Sequence, residues 1–491
     1  MKNTILKTKI TNARIAILSL LAFVFGVAFV LIWGLPNWLW IVFLGAFIFI
    51  AVDNRNKLFI CLFFCLIAFG AGGWRAEQSL DRVVSEDLGE FSGDAKVMRG
   101  TEDKQEYQRV VISPISGDRF INLKFVAFAD HHPKFVVGEF VQVSCNLQKP
   151  KNKHDKFNYQ RFLAKDGIVQ ICSNARLQKT GKSDLSWFYK GLLSTEKVLE
   201  QRITMLFSQP ESDYLAGLLL GGSNRLNGEV AQQFRRTGTT HTVAVSGYNI
   251  TILASVLMAI AIAIGFWRSQ AFWIALAGII FFVLMIGSPS SAVRAAIMGI
   301  LVLWAARKGR LASSSNAIIF SAMLMIWHSP LILLYDVGFQ LSFLATIGIV
   351  VVYGPLAEKM RIKEDFLELK SIVLVTISAQ FGVLGILVYN FEAFSPISLL
   401  ANLIILPLVP LIMLGGFSVV LISFILPPLA SAFSWVVWLG LHLEMKAIEL
   451  LSGISWSLLE IKNVSLLWLV GYYVFFALLV LCLRRHKTIA T

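Results

Sequence analysis

Residues 15–33 read IAILSLLAFVFGVAFVLIW, a run without one ionisable side chain. An apolar run of roughly 18 or more residues is long enough to cross a bilayer as a helix. Lys2, Lys7, Lys9 and Arg14 precede it, as in a signal anchor. No small-residue cleavage site follows, so the run is expected to remain as a first membrane helix. Similar runs recur along most of the 491 residues, of which 56% are hydrophobic and only 15% charged, with mean hydropathy +0.69. That balance excludes an ordinary water-soluble enzyme, whose surface would need far more polar residues. A polytopic α-helical membrane protein is the expected fold class. Its 13 Trp and 37 Phe suit a lipid-facing surface with aromatic belts, and its 35 Gly suit close helix packing.

Outward from the first span, an uncharged turn at 35–37 leads to a second span, Trp38 to Val52, and then to the basic loop 53–57. A third span covers Leu58 to Trp74. With the basic N-terminus and the basic loop in the cytoplasm, the chain emerges outside after residue 74. Residues 75–190 then change to mixed charge and period-two patterns, as at Arg109–Ser113 and Phe120–Val126, with turns expected at Gly93-Asp94 and Gly117-Asp118. They predict an extracytoplasmic β-rich insert, a five-stranded barrel of OB type. In an oxidising compartment Cys145 and Cys172 are a disulfide candidate, whereas Cys61, Cys65 and Cys482 lie in apolar segments as packing.

Residues 191–240 read as connecting amphipathic helices, 241–483 as a second membrane domain and 484–491 as a cytoplasmic tail. Spans are expected at about 242–264, 270–288, 290–306, 312–333, 338–355, 370–390, a pair within 397–426, and 466–483, with breaks near Pro289, Pro407 and Pro410. The stretch 431–462 suggests interfacial amphipathic helices. Basic connections at Arg268, 307–310, 359–363 and 484–487 all fall inside if the insert is outside, so both termini are expected in the cytoplasm. The total is about 10–12 membrane helices. This placement also accounts for the net charge of +14, which in a soluble protein would point to nucleic acid.

Ionisable and amide side chains in apolar segments are costly unless they face water or one another, so they are the functional candidates. Arg235, Arg236, His241, Ser246 and Asn249 gather at the mouth of a membrane helix. His241 as base and Ser246 as nucleophile would make an intramembrane hydrolase. On a continuous helix, however, they sit about 140° apart, and no nucleophile elbow accompanies them. His241, Val245 and Asn249 share a face at i, i+4 spacing and suit the lining of a path, or helix packing. Arg294 follows a helix break at Pro289 and needs a carboxylate, carbonyls or a passing phosphate, unless it snorkels to the interface. Asp336 shares a helix face with Gln340 and could pair with Arg294. Gln380, Asn390 and Asn402 are weaker candidates that could simply join helices. In the insert, Lys149, Lys151, Lys153, Lys156 and Arg161 alternate with Phe157, Tyr159 and Phe162. Basic and aromatic residues so mixed suit non-specific single-strand binding, against the plainer reading of a solvated basic loop.

The 7 His form no metal-ligand pattern, and there is neither a Walker loop nor a dinucleotide fingerprint. No catalytic residue, metal or cofactor is therefore assigned, and a motor would have to be a partner.

The run AGLLLGGSNRLNGEVAQQFRRTGTTHTVAVSGYNITIL resembles the signature of the ComEC family of bacterial competence proteins. The blocks SPSSAVRAAIMGILVLWAARKGR, LYDVGFQLSFLATIGIV and FSPISLLANLIILPLVPLIMLGG are similar to later parts of its membrane domain, and FNYQRFLAKDGI to the end of its OB-like insert. The resemblance implies an inner-membrane channel that passes single-stranded DNA into the cytoplasm during natural transformation. It also implies a cytoplasmic helicase-like ATPase and an extracytoplasmic DNA receptor as partners, contact with membrane lipids, and assembly as a homo-oligomer. Many members continue into a β-lactamase-like metallohydrolase domain not found before Thr491, so a separate nuclease is expected. The alternatives are a transporter of a smaller polar or anionic solute and, third, the hydrolase.

Overall fold

The structure is a computed structural model, describing residues 11–34, 57–81, 83, 88–103, 107–115, 123–130, 132–152, 158–222, 225–245, 247–309, 313–360 and 369–489. The expected span at 38–52, the Gly117-Asp118 turn, Ser246, Lys153, Lys156 and Phe157 lie outside the described residues. The chain forms two compact units, one of Met1–Asp184 with Ser313–Val337, the other of Leu185–Ala312 with Gly338–Thr491.

In the first unit the helices Asn12–Trp33 and Lys57–Leu80 pack at glycines. A Cβ on Gly26 would fall 2.1 Å from the Phe69 carbonyl oxygen, and one on Gly72 2.2 Å from that of Phe23. Only bare backbone allows this approach, the small-residue contact typical of membrane helices. The Ser314–His328 helix joins them, with Phe23 and Trp327 ring centroids 5.5 Å apart. Arg75 closes its C-terminal end, Nε donating to the Trp327 carbonyl at 3.0 Å and Nη2 to that of His328 at 2.9 Å. Cationic donors suit the negative end of a helix. A helix from the second hydrophobic half of the sequence thus belongs to the first unit.

The insert is a closed barrel of β1 (Gly89–Asp103), β2 (Gln108–Pro114), β3 (Lys124–Ala129), β4 (Glu139–Gln148) and β5 (Ile168–Ser183), in the order β1-β2-β3-β5-β4. The expected turn at Gly93-Asp94 is not there. Gly93 and Asp94 are strand residues of β1 opposite Val143 and Gln142, because a glycine inside a long barrel strand allows close approach and bending. β4 alternates buried and exposed positions, and Phe91, Val97, Ile112, Phe125, Val143 and Leu147 fill the interior. A register shift between Ser144 and Asn146 brings β4 and β5 together where Cys145 and Cys172 are joined by a disulfide, with Cα atoms 5.5 Å apart.

In the second unit the expected amphipathic connection is not amphipathic throughout. The helix Glu211–Leu220 is buried on nearly every side, and such a helix belongs in a core. Tyr214 Oη donates to Glu444 Oε2 at 2.7 Å, and His442 Nδ1 lies 2.9 Å from Glu211 Oε1, so buried polar contacts join it to the Pro427–Ser452 helix. That single helix replaces the short interfacial helices expected from 431 onward. Its buried stripe carries Ser434, Glu444 and Ser452, while Trp435, Val436 and Leu450 are exposed. The stripe also carries Ala430, Val437, Leu441 and Ile448, and Lys446 pairs with Glu449 on the exposed side at 2.8 Å.

Among the described residues five helices are long and apolar enough to cross a membrane: Ala13–Trp33, Ile60–Leu80, Arg268–Met285, Val337–Lys359 and Lys370–Phe391. Ser398–Ile405 and Val409–Ile422 form a pair bent by 44°, with Pro407 at the break, and three shorter apolar helices cover Asn249–Ala263, Ser290–Ala305 and Leu466–Cys482. The chain is a multi-pass membrane protein with a small β-barrel insert.

Candidate functional site

Arg294 lies one turn into the Ser290–Arg307 helix. Its Nε donates to Ser342 Oγ at 2.6 Å and its Nη1 to Thr346 Oγ1 at 2.5 Å, with Met298 Sδ a weak acceptor at 3.8 Å. Ser342 and Thr346 are one turn apart on the Val337–Gly348 helix, and the Phe343 ring centroid is 5.8 Å from the guanidinium carbon. These groups hold the guanidinium and stack on it but do not neutralise it. Among the described residues no carboxylate lies within ion-pair distance of Arg294. A guanidinium stays charged in such a setting, so among the described residues its charge has no carboxylate partner.

The other side of the guanidinium faces a helix start. A Cβ on Gly247, the first residue of the Gly247–Ala263 helix, would stand 4.0 Å from Arg294 Nη2. The open N–H groups of a first helical turn are a partial positive charge, so helix and guanidinium both favour an anion. Ser291 Oγ donates to the Val245 carbonyl at 2.8 Å and fixes the chain just ahead of this start.

The chain breaks between the short helix Thr240–Val243 and Gly247. His241, Val245 and Asn249 therefore do not share the face expected of a continuous helix. His241 is exposed, with Nδ1 3.2 Å from the Gly238 carbonyl. Asn249 is buried, and its Nδ2 donates to the Leu218 carbonyl at 3.0 Å, which is helix packing. Gln340 is half-buried on the helix that carries Ser342, and Asn402 is buried with Oδ1 unpartnered among the described residues. Asn390 Nδ2 bonds back to the Ile386 carbonyl of its own helix at 2.9 Å, while Gln380 Nε2 reaches Ser398 Oγ at 2.6 Å.

Asp336 requires a correction, because it neither lies on the helix of Gln340 nor pairs with Arg294. It is the extended residue before Val337, and its Oδ2 accepts from Lys165 Nζ at 2.7 Å, with the two side chains 7% and 12% exposed. The same contact engages part of the expected DNA-binding segment. Arg161 donates to the Tyr335 hydroxyl and lies over that ring, and Tyr159 stacks on Phe162 with centroids 6.3 Å apart. Both serve to seat the short helix Tyr159–Ala164 against 329–336. Lys149 and Lys151 are exposed on the β-domain.

Arg235 and Arg236 end the Gly228–Arg236 helix, whose start is capped by Asn227 Oδ1 accepting from the Val230 N–H at 2.9 Å. Gly238 then turns the chain at φ +70°, where a Cβ would sit 2.7 Å from Ser398 Cβ, so glycine is required on both counts. Both arginines are exposed, and Arg236 Nη1 reaches the Ser452 carbonyl at 3.4 Å. With Gln232 they form one wall of a cavity of 370 Å3. Phe391, Glu392 and Ala393 form another, and Leu458, Glu460 and Lys462 the third. The last two walls meet in a short ladder, β6 (Ala393–Phe394) with β7 (Leu459–Glu460), Ala393 opposite Glu460. Sequence reading missed them, because two-residue strands leave no periodicity. It also missed Ser342 and Thr346, although hydroxyls one turn apart on an apolar helix are a readable signal.

Arg225, which ends the run GGSNR from Gly221, is anchored within the unit. Its Nε donates to the Gly221 carbonyl at 2.9 Å, Nη2 to Glu196 Oε1 at 2.8 Å, and Nη1 to Glu200. Burial raises the Glu196 carboxyl above its ordinary range, with the Arg225 charge acting in the opposite sense.

The Competence protein family matches residues 218–486, a stretch that includes Arg235, Arg236, Arg294 with its hydroxyl partners, and all three walls of the cavity. ComE operon protein 3 of Bacillus subtilis (strain 168) is 26% identical over 287 residues, which are 57% of this chain and 35% of that relative. The match thus spans about a third of the length of that curated relative. No solved structure matches. Since the family covers more than half of the sequence, the chain belongs to the Competence protein family.

Proposed function

We propose that the protein passes single-stranded DNA across the bacterial cytoplasmic membrane during natural transformation, with both termini in the cytoplasm and the β-barrel outside. The observation that carries this reading is Arg294, a cation among apolar helices with hydroxyl partners and no carboxylate among the described residues. A half-buried charge among apolar helices calls for a counter-ion, and a phosphodiester passing through meets that need repeatedly without binding permanently. Lys149 and Lys151 on the barrel, then Arg235 and Arg236, draw the strand toward the entrance. Gln340 and Asn402 supply neutral polar groups along the way. Inward movement is supplied by a cytoplasmic helicase-like ATPase, after a receptor outside has delivered one strand.

The test is entry of labelled DNA into the nuclease-protected cytosol of the host, compared among wild type, a deletion of the gene and a complemented strain. Loss of protected DNA in the deletion, with surface binding retained and entry restored on complementation, is the expected result. Equal entry in all three strains would remove the proposal and turn attention to flux of small anions.

A further inference from the structure

The cavity beside Arg235 and Arg236 has a composition that the need to attract phosphate does not explain. A surface that only gathers a polyanion is uniformly basic, whereas two of the nine residues lining this cavity are carboxylates, Glu392 and Glu460, and one is an aromatic ring, Phe391. Its 370 Å3 lies near the lower end of the roughly 300–1,000 Å3 of small-molecule sites. That is room for a group of about the size of one nucleotide.

The charges divide the cavity. Arg235 and Arg236 stand together at the end of one helix, while Glu392 and Glu460 come from the opposite walls, with Glu460 Oε2 3.6 Å from Lys462 Nζ. A phosphate is drawn to the paired arginines, because on the third wall the Lys462 charge is offset by Glu460 beside it. Phe391, 49% exposed at the end of the Leu369–Phe391 helix, offers a face to whatever is attached to that phosphate. Every base has a π-face, so stacking there is tolerant of sequence. Gln232 adds an amide that can donate or accept.

We infer that this cavity is a docking station for a single nucleotide unit of a DNA strand, phosphate on Arg235 and Arg236 and base on Phe391. The inference rests on the reading of DNA as the substrate and adds to it a contact step: a strand presents one unstacked nucleotide at a time to this cavity.

The experiment uses the full chain purified in detergent. A fluorescent twelve-residue oligothymidylate is bound, then displaced by thymidine monophosphate, by thymidine or by inorganic phosphate. Thymidine monophosphate is expected to displace it at a concentration at least about tenfold below that needed for either fragment. Phe391→Ala is expected to weaken oligonucleotide binding by about 5- to 100-fold, the equivalent of losing one stacked base, while Phe391→Trp retains it and shows that the fold tolerates change there. Arg235→Ala with Arg236→Ala should lower the salt dependence of binding. Displacement by phosphate as effective as by the nucleotide would overturn the station and leave a plain anion site. Oligonucleotide binding indifferent to Phe391→Ala and to saturating nucleotide would also overturn it, with DNA still the substrate. Nucleotide binding without any affinity for the oligonucleotide would keep the cavity and remove the DNA reading, and binding of neither would remove both.

Discussion

Two half-buried cations in this protein are treated in opposite ways. Lys165 in the first unit meets Asp336 at 2.7 Å, closing the charge inside the fold. Arg294 in the second unit is held just as firmly, but by Ser342 and Thr346, which orient a guanidinium and leave its charge standing. Fixing position without cancelling charge is what a site for a transient anion needs, whereas an ion pair fixes position and cancels charge together. The contrast separates a structural charge from a functional one without reference to any ligand.

The largest effect expected from testing this contrast is structural. Lys165→Met takes the cation away from the buried Asp336 carboxylate, and should cost about 3–5 kcal/mol in thermal unfolding of the purified protein. Adding Asp336→Leu should restore stability to within about 1 kcal/mol of wild type, since removing both charges removes the desolvation penalty too. Failure of the double variant to recover would mean that the pair does more than close a charge. Next, replacing Cys145 and Cys172 by Ala should cost about 3 kcal/mol of barrel stability. Protease protection of residues 89–183 reports it, and DNA entry should fall only as far as the barrel unfolds.

Arg294→Ala should reverse this pattern. Thermal stability and membrane insertion should stay near wild type, while nuclease-protected DNA falls about 10- to 100-fold, the value of hydrogen bonds from one charged group to a phosphate. A stability loss as large as that of Lys165→Met would make Arg294 structural and erase the contrast. The smallest effect is expected from Ser342→Ala or Thr346→Val, each loosening the guanidinium and lowering entry by about 2- to 10-fold.

How much of this could be read from the sequence depends on the range of the interaction. The β-insert follows from period-two alternation, and the helix break at Pro407 from a missing N–H, both local properties. Arg294 was legible because an ionisable residue in an apolar run is conspicuous. Its neighbours were less so, since Ser342 and Thr346 come from another helix. Lys165 with Asp336, far apart in sequence, and the cavity walls at 391–393 and 458–462 arise only from tertiary packing. The pairing of Asp336 with Arg294 was plausible by charge and wrong by geometry. The break at 244–246 defeated the helical spacing of His241 and Asn249, because a single Gly-led restart of the helix resets every angle after it.

The most direct test of the central claim places a photo-crosslinking side chain at Thr346, beside Arg294, and another at Trp435, on the exposed apolar face of Pro427–Ser452. Labelled DNA is stalled during entry and the cells are illuminated. The account predicts a DNA adduct at position 346 and none at 435. Entry of DNA with no adduct at 346, or with equal adducts at both positions, would contradict it.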